Sequence, residues 1–235
     1  MKYKRILLKL SGESLMGDQQ SGISSEKLGY YVKEIQQAVR TGAEVAIVIG
    51  GGNIYRGLQG VAGGMDRVQG DYMGMLATII NSIALQAGLE KMNIPTVLLS
   101  GIPIEGIAGK ATRRNAQKHL SAGEVVIFPG GTGNPFFTTD TAAALRAAEI
   151  EADVILKGTR VDGVYDDDPE KNPGAIRYET LSFDEAIQKK LKILDITAFT
   201  LCRENNIPIV VFDINSMGNI KQIIEGKDHG TLVSS

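Results

Sequence analysis

The sequence predicts an α/β fold in which a central, mainly parallel sheet is covered by helices on both faces. Short apolar runs alternate along the chain with longer segments whose apolar residues recur at helical spacing, the order that parallel βαβ units require. The runs at 44–49 and 153–156 are apolar almost throughout rather than at every second position, as in strands buried on both faces. Several runs end in glycine clusters or a lysine, and in open parallel sheets ligands gather beyond the carboxyl ends of the strands.

Residues 3–10 form the first strand, which closes in Lys9-Leu10-Ser11-Gly12-Glu13, a lysine followed by a small-residue turn. Such a turn either faces phosphate or simply ends an edge strand on a solvated lysine. Gly17-Asp18-Gln19-Gln20-Ser21-Gly22 is polar and aperiodic, an effector or lid loop or a plain connection. Ser24 caps a helix with Leu28, Val32, Ile35 and Val39 on its inner face, and Gly42 stops it. The strand at 44–49 then runs into Gly50-Gly51-Gly52-Asn53, with Arg56 and Gly57 beyond. Three consecutive glycines lose much chain entropy on ordering, and close approach of phosphate oxygens to the backbone is a need that accounts for them. Arg56 is then a bidentate phosphate clamp or a surface arginine.

Residues 66–88 form a long helix with Met73, Leu76, Ala77, Ile80, Ile83 and Ala84 as its buried or interface stripe. Asp71, near its start, either complements the helix N-terminus or accepts hydrogen bonds from ligand hydroxyls. A strand at 95–99 is followed by a helix at 110–120, on which Arg113, Arg114, Lys118 and His119 form a solvated face and His119 has no carboxylate nearby in sequence. Val125-Val126-Ile127-Phe128 leads into Gly130-Gly131-Thr132-Gly133-Asn134-Pro135-Phe136-Phe137-Thr138-Thr139-Asp140 and then a helix through Ala142 to Arg146. That order is strand, glycine loop, helix start. Thr138, Thr139 and Asp140 offer hydroxyls and a carboxylate where free helix N–H groups point outward, a corner suited to a phosphate-bearing ligand.

A strand at 153–159 ends in Lys157 and Gly158, so a second lysine ends a second strand. Residues 160–173 are a turn-rich loop, where Tyr165 stacks on a base and Asp168 bonds to base or sugar, or where a surface tyrosine covers an acidic turn. Helices at 182–191 and 195–205, a strand at 207–212, a helix at 217–225 and a closing edge strand at 230–233 complete the chain.

Lys and Arg total 25 against 27 Asp and Glu, a formal net charge of -2, which excludes a general polyanion-binding character. The single Cys202 lies in an apolar helical pattern, excluding an internal disulfide and reading as core. Lys2, Lys4 and Arg5 lead only into Ile6-Leu7-Leu8, no signal-peptide pattern is present, and no apolar run is expected to span a membrane, so the expected location is cytoplasmic. Neither G-x-x-x-x-G-K-[ST] nor G-x-G-x-x-G occurs, which speaks against the P-loop kinase and dinucleotide classes.

Taken together the corners at Lys9 to Glu13, Gly50 to Asn53, Asp71 with Met73-Gly74-Met75-Leu76-Ala77-Thr78, Gly131 to Asp140, and Val161-Asp162-Gly163-Val164-Tyr165 with Asp168-Pro169 resemble the amino acid kinase family, in particular its UMP-phosphorylating branch, from Lys4 to the C-terminus. The resemblance implies one amino acid kinase-like three-layer domain over 1–235, with an acceptor-binding part roughly at 1–150 and an ATP-binding part roughly at 151–235. It implies transfer of the γ-phosphoryl group of MgATP to UMP, giving UDP and ADP in pyrimidine nucleotide biosynthesis, by a cytoplasmic homohexamer that GTP activates and UTP inhibits. Lys9, Leu10, Ser11, Gly12, Gly52 and Arg56 would contact ATP, with Thr159, Tyr165 and Asp168 around its adenine and ribose. Gly51, Asp71, Thr132, Gly133, Asn134, Pro135, Phe136, Phe137, Thr138 and Thr139 would hold UMP. Lys9 and Lys157 would neutralise the transferring phosphoryl group, while Asp140 and Asp195 orient the lysines. Magnesium would bridge the ATP phosphates without a dedicated protein cage. Gly17, Asp18, Gln19, Gln20, Ser21 and Gly22 match the loop linked to GTP control, and neither membrane nor nucleic acid is an expected partner. The rival readings are a kinase of a small carboxylate or carbamate, against which Asp71 and the segment 134–139 speak, and a non-catalytic nucleotide sensor, against which the two strand-end lysines speak.

Overall fold

The computed structural model describes residues 1–55, 64 and 66–235. In chain order they form β1 (Arg5–Leu10), α1 (Ser25–Arg40), β2 (Glu44–Ile49), α2 (Arg67–Lys91), β3 (Thr96–Ser100), β4 (Gly109–Lys110), α3 (Arg113–Ser121), β5 (Val125–Ile127) and α4 (Thr139–Ile150). The second part holds β6 (Val154–Thr159), β7 (Val164–Tyr165), β8 (Arg177–Tyr178), β9 (Thr180–Ser182), α5 (Phe183–Gln188), α6 (Ile196–Glu204), β10 (Ile209–Asp213), α7 (Asn219–Glu225) and β11 (Thr231–Ser234). Helix starts follow local chemistry: the side chains of Ser24, Asp66, Thr112, Thr138 and Asp195 each accept a first-turn backbone N–H, and Ser182 with Glu185 forms a capping box.

The strands make one nine-stranded sheet in the order β4-β3-β5-β2-β1-β6-β10-β11-β9. Pairing is parallel from β4 to β10; β11 runs antiparallel to β10, and β9 lies parallel to β11. On one face Ile6, Leu8, Val45, Ile47, Leu156 and Phe212 pack with Ile35 of α1, Leu85 of α2 and Ile223 of α7. On the other, Leu7, Ala46, Val48, Ile155 and Val211 pack with Leu120 of α3, Ala143 of α4 and Cys202 of α6. These are the expected three layers of an α/β sandwich.

Four local expectations change. The strand expected at 230–233 is not an edge, because β9 pairs outside it; three residues of mixed polarity, Thr180–Ser182, carry no strand signal of their own. Lys110 belongs to β4 at the other edge, and α3 starts only at Arg113, after its Thr112 cap. His119 does have a partner: its Nδ1 lies 2.8 Å from Glu124 Oε2, five residues on and across the turn that ends α3. Finally, α2 is long and apolar enough by length and composition to cross a membrane. In this fold it lies along α1 and β3, and the buried Thr78, Asn81 and Ser82 on its inner face bond to protein groups.

Candidate active site

Strand register and side-chain alternation build the centre of the site. Lys9 on β1 and Lys157 on β6 are directly paired positions. Each lies two residues beyond an apolar residue, Leu7 or Ile155, that faces the α4 layer, so both lysines share that face. The first turn of α4 carries Asp140 toward them. Lys9 Nζ lies 2.6 Å from Asp140 Oδ1, and Lys157 Nζ donates to Oδ2 at 3.0 Å. Lys157 also donates to the Ile193 carbonyl at 2.5 Å.

Burial alone would raise the Asp140 carboxyl, but the charges of Lys9 and Lys157 and their hydrogen bonds outweigh it and hold the group below its ordinary value. Burial pushes Lys157 the other way, and with help from the Lys9 charge it leaves that ammonium below its usual value despite Asp140. Asp195 does not reach the lysines directly. It caps α6 through Ala198 N at 2.9 Å and accepts from the hydroxyls of Thr138 and Thr141, fastening the start of α4 to the start of α6. Cys202 behind it is fully buried; desolvation, with Asp140 and Asp195 nearby, pushes its thiol up to about 12, so it is an inert core residue.

On one side opens a cleft of about 640 Å³ lined by Gly51, Gly52, Asp71, Thr132, Asn134, Phe137, Thr138 and Thr139, among others. The β2 corner lies hard against α2: a Cβ at Gly51 would sit 2.7 Å from Ala77 Cβ and 2.9 Å from the Gly74 carbonyl, which only glycine avoids. Gly131 and Gly133 turn the opposite wall with φ of 59° and 85°. Asp71, one turn into α2 rather than in its first turn, accepts from Arg67 Nε at 3.0 and 2.9 Å and from the Phe136 backbone N–H at 2.7 Å. Phe136 takes a positive φ of 72° and carries the Arg67 guanidinium 5.8 Å from its ring centroid. Pro135 precedes it in the same wall.

On the other side a cleft of about 650 Å³ is lined by Lys157, Thr159, Tyr165, Asp168 and the lysines 189, 190 and 192, among others. Thr159 Oγ1 donates to the Val161 carbonyl at 2.6 Å, and Tyr165 OH donates to Asp162 at 2.5 Å. Asp168 pairs with Lys171 at 2.9 Å.

The structure does not gather every expected ATP contact in this second cleft. Gly52 lines the first cleft with Gly51. The Leu10 side chain is buried in the opposite core, leaving only its backbone, whose carbonyl accepts from Gly50 N at 3.0 Å. Ser11 caps the short 3-10 turn Gly12–Leu15. Arg56 and Gly57 lie outside the described residues. Within 17–22, Asp18, Gln19, Gln20 and Ser21 are exposed, Gly17 and Gly22 take φ of 60° and 88°, and none of the six lines either cleft.

Sequence reasoning passed over Tyr55 and Arg67 on the first cleft and Lys189, Lys190 and Lys192 on the second, and gave Glu13, which also lines the first, no role beyond its place in the corner after β1. Only Arg67 had a readable signal, its spacing of four residues from Asp71 on one helix. Among the described residues no group of three or more His, Cys, Asp or Glu side chains is arranged to hold a metal ion.

A family model for the amino acid kinase family matches residues 4–213. The chain is 52% identical over 232 residues to the uridylate kinase of Bacteroides thetaiotaomicron, covering 99% of this chain and 98% of that protein. The structure of UMP kinase from Bacillus anthracis aligns with a TM-score of 0.96 at 38% identity, over 100% of this chain and 97% of that one. UMP kinase from Ureaplasma parvum aligns at 0.93 with 41% identity over 100% of both chains. Uridylate kinase from Archaeoglobus fulgidus aligns at 0.75 with 27% identity, over 97% and 99%. By matched length and by fold, the chain belongs to the amino acid kinase family.

Proposed function

We propose that this chain is a UMP kinase that transfers the γ-phosphoryl group of MgATP to UMP, releasing UDP and ADP. The observation that carries the reading is the placement of Lys9, Asp140 and Lys157 between two clefts of similar size. Lys157 lines one cleft, Thr138 and Thr139 line the other, and Asp140 follows them in the chain while pairing with both lysines. Phosphoryl transfer asks for positioning and charge neutralisation far more than covalent chemistry, and two fixed ammoniums at a junction supply both. The names of the relatives, uridylate and UMP kinases at up to 52% identity, support the choice of acceptor.

In this reading ATP occupies the cleft around Thr159, Tyr165 and Asp168, and UMP the cleft around Gly51, Asp71 and residues 132–139. The glycine corners bring backbone N–H groups to phosphate oxygens, and the N-terminus of α4 adds its dipole. An oxygen of the UMP phosphate forms the new P–O bond as the bond to the ADP oxygen breaks; that phosphate is largely ionised near neutral pH, so no general base is assigned. Lys9 and Lys157 offset the charge on the transferred group. Asp140 is committed to the two lysines, so a magnesium ion would take its ligands mainly from ATP phosphates and water, where it would neutralise phosphate charge. The same reading carries a division of the domain near residue 150, a cytoplasmic homohexamer, activation by GTP through residues 17–22, and inhibition by UTP. ADP release from MgATP, with UMP, CMP, dUMP, acetylglutamate, aspartate and carbamate offered in turn, tests it. Turnover with UMP well above all others is expected; turnover with an amino acid or carbamate, or nucleotide binding with no turnover, would overturn it.

A further inference from the structure

Beneath the corner after β2 lie two buried amides that phosphoryl transfer does not use. Asn53 is 2% exposed and Asn81 0%. They are paired reciprocally: Asn53 Nδ2 donates to Asn81 Oδ1 at 2.9 Å, and Asn81 Nδ2 donates to Asn53 Oδ1 at 2.7 Å. Turning either amide over would set N–H against N–H and oxygen against oxygen, so the partners determine the orientation.

Each amide reaches one backbone carbonyl as well. Asn81 Nδ2 donates to Gly50 at 2.7 Å, and Asn53 Nδ2 donates to Gly22 at 2.9 Å, while Gly22 N returns a bond to the Asn53 carbonyl at 2.9 Å. The pair thus joins the end of the 17–22 loop, the glycine corner at 50–52 and the inner face of α2. The turn after Lys9 rests on it too: a Cβ at Gly12 would collide with the Gly50 carbonyl and lie 2.6 Å from Asn53 Oδ1. One turn earlier on α2, Thr78 Oγ1 accepts from Gly130 N at 2.8 Å and donates to the Met75 carbonyl at 2.6 Å, so the same helix face also anchors the glycine corner after β5.

Two apolar side chains of similar size would fill this space, yet they would leave the Gly50 carbonyl without its Asn81 donor and the Gly22 carbonyl without its Asn53 donor, so that the loop would be held by the Gly22 N to Asn53 carbonyl bond alone of these two. A fully satisfied buried network selects one arrangement of the backbone segments it joins. We propose that Asn53 and Asn81 are positioning residues that set the Gly50–Gly52 backbone beneath the acceptor phosphate and tie it to the 17–22 loop, so that loop position and acceptor affinity are coupled. The proposal rests on the acceptor reading of the first cleft. Coupling of this kind is reciprocal, so a bound acceptor must in turn hold the loop.

Steady-state kinetics of Asn53→Ala, Asn81→Ala, the milder Asn81→Ser and the double alanine variant test the pair, alongside thermal unfolding of each and hydrogen exchange of residues 17–22 with and without UMP. Each single variant should raise the KM for UMP about tenfold while the KM for ATP and kcat stay within about threefold. The double variant should add little to either single one, since the ring is broken once. In the unmodified protein, saturating UMP should slow exchange in 17–22 about tenfold, and the variants should lose that protection. Lower melting temperatures with unchanged or equally shifted KM values would reduce the pair to core packing and overturn the proposal. Unchanged exchange at 17–22 on adding UMP would overturn the coupling without using a variant. If the unmodified protein turns over a different acceptor, it is the functional reading that fails, and the same exchange measurement with that acceptor decides the positioning role.

Discussion

Lys9 and Lys157 stand opposite each other in the register of two neighbouring parallel strands, and one carboxylate, Asp140, separates their charges at 2.6 and 3.0 Å. Two ammoniums this near repel until an anion lies between them, and the phosphates of two substrates would bring further anions to the same point. Lys9→Ala is therefore expected to leave a folded protein and to lower kcat by about a hundredfold or more. Near-normal turnover by a folded variant would remove Lys9 from the reaction.

Asp140→Asn keeps the shape and removes the charge. The carboxyl is held below its ordinary 3.8, so its contribution to stability is fully present above that value and fades as pH falls through the lower folded value. The variant should be less stable than the parent at pH 7 by about 3 kcal/mol, because it leaves two half-buried ammoniums without their anion. The gap should shrink as the pH is lowered below 3.8. Urea unfolding at a series of pH values measures it, and a gap independent of pH would show that the charge on Asp140 is not what stabilises its contacts with Lys9 and Lys157.

What the sequence made legible is what local chemistry controls. Strand-end lysines and glycines announce themselves within a few residues and place Lys9 and Lys157 at the carboxyl ends of two strands, whereas their sharing one face follows only from the pairing of β1 with β6 and the core that Leu7 and Ile155 enter. Asp195 illustrates the limit: its helix-capping position is local and readable, whereas its choice of Thr138 and Thr141 over the lysines depends on how α6 packs against α4. Asn53 and Asn81 are 28 residues apart and look like ordinary loop and helix residues until the fold buries both. The cleft lysines at 189, 190 and 192 sit in a segment whose polarity reads as surface, and only the hairpin of β7 and β8 and its acidic loop make it a wall.

Asp71 offers a separation of the two substrates. It bonds to Phe136 N and Arg67 on the wall of the first cleft and has no place in the lining of the second. Asp71→Asn is expected to raise the KM for UMP about tenfold and leave that for ATP within about twofold. Equal changes in both would count against its acceptor-side role.

Glu34 carries a pH dependence of the opposite sign. It lies on α1 at 1% exposure, and its Oε1 accepts from Gly218 N at 2.6 Å, capping α7 from outside because Gly218 has no side chain to do so. Gln37 Nε2 donates to it at 3.4 Å. Burial raises its carboxyl, and the backbone N–H groups of Gly218 and Ile220 only partly oppose that. A raised folded value favours the folded state most below 4.5, and that advantage declines as pH rises through the folded value. Glu34→Gln keeps the acceptor oxygen and cannot ionise, so its melting temperature relative to the parent should climb between pH 4 and pH 8. A relative melting temperature that is flat or falls over that range would contradict this.

The outer face of α2 bears on assembly. Met73, Leu76, Ile80 and Ile83 are 39, 49, 50 and 40% exposed and follow one another at helical spacing, an apolar stripe on the side of the helix away from the sheet. Thr78, Asn81 and Ser82 occupy the inner face, so the stripe is not needed to hold the helix to its own domain. In the proposed hexamer it would lie against a second copy, where a desolvated charge costs several kcal/mol. Leu76→Glu together with Ile80→Glu should therefore reduce the particle mass measured by analytical ultracentrifugation while the far-ultraviolet circular dichroism of the chain is kept. Because Asp71 lies one turn below the stripe and the Asn81 ring directly behind it, loss of the partner should also raise the KM for UMP more than that for ATP. An unchanged mass would place the contacts between copies on another face.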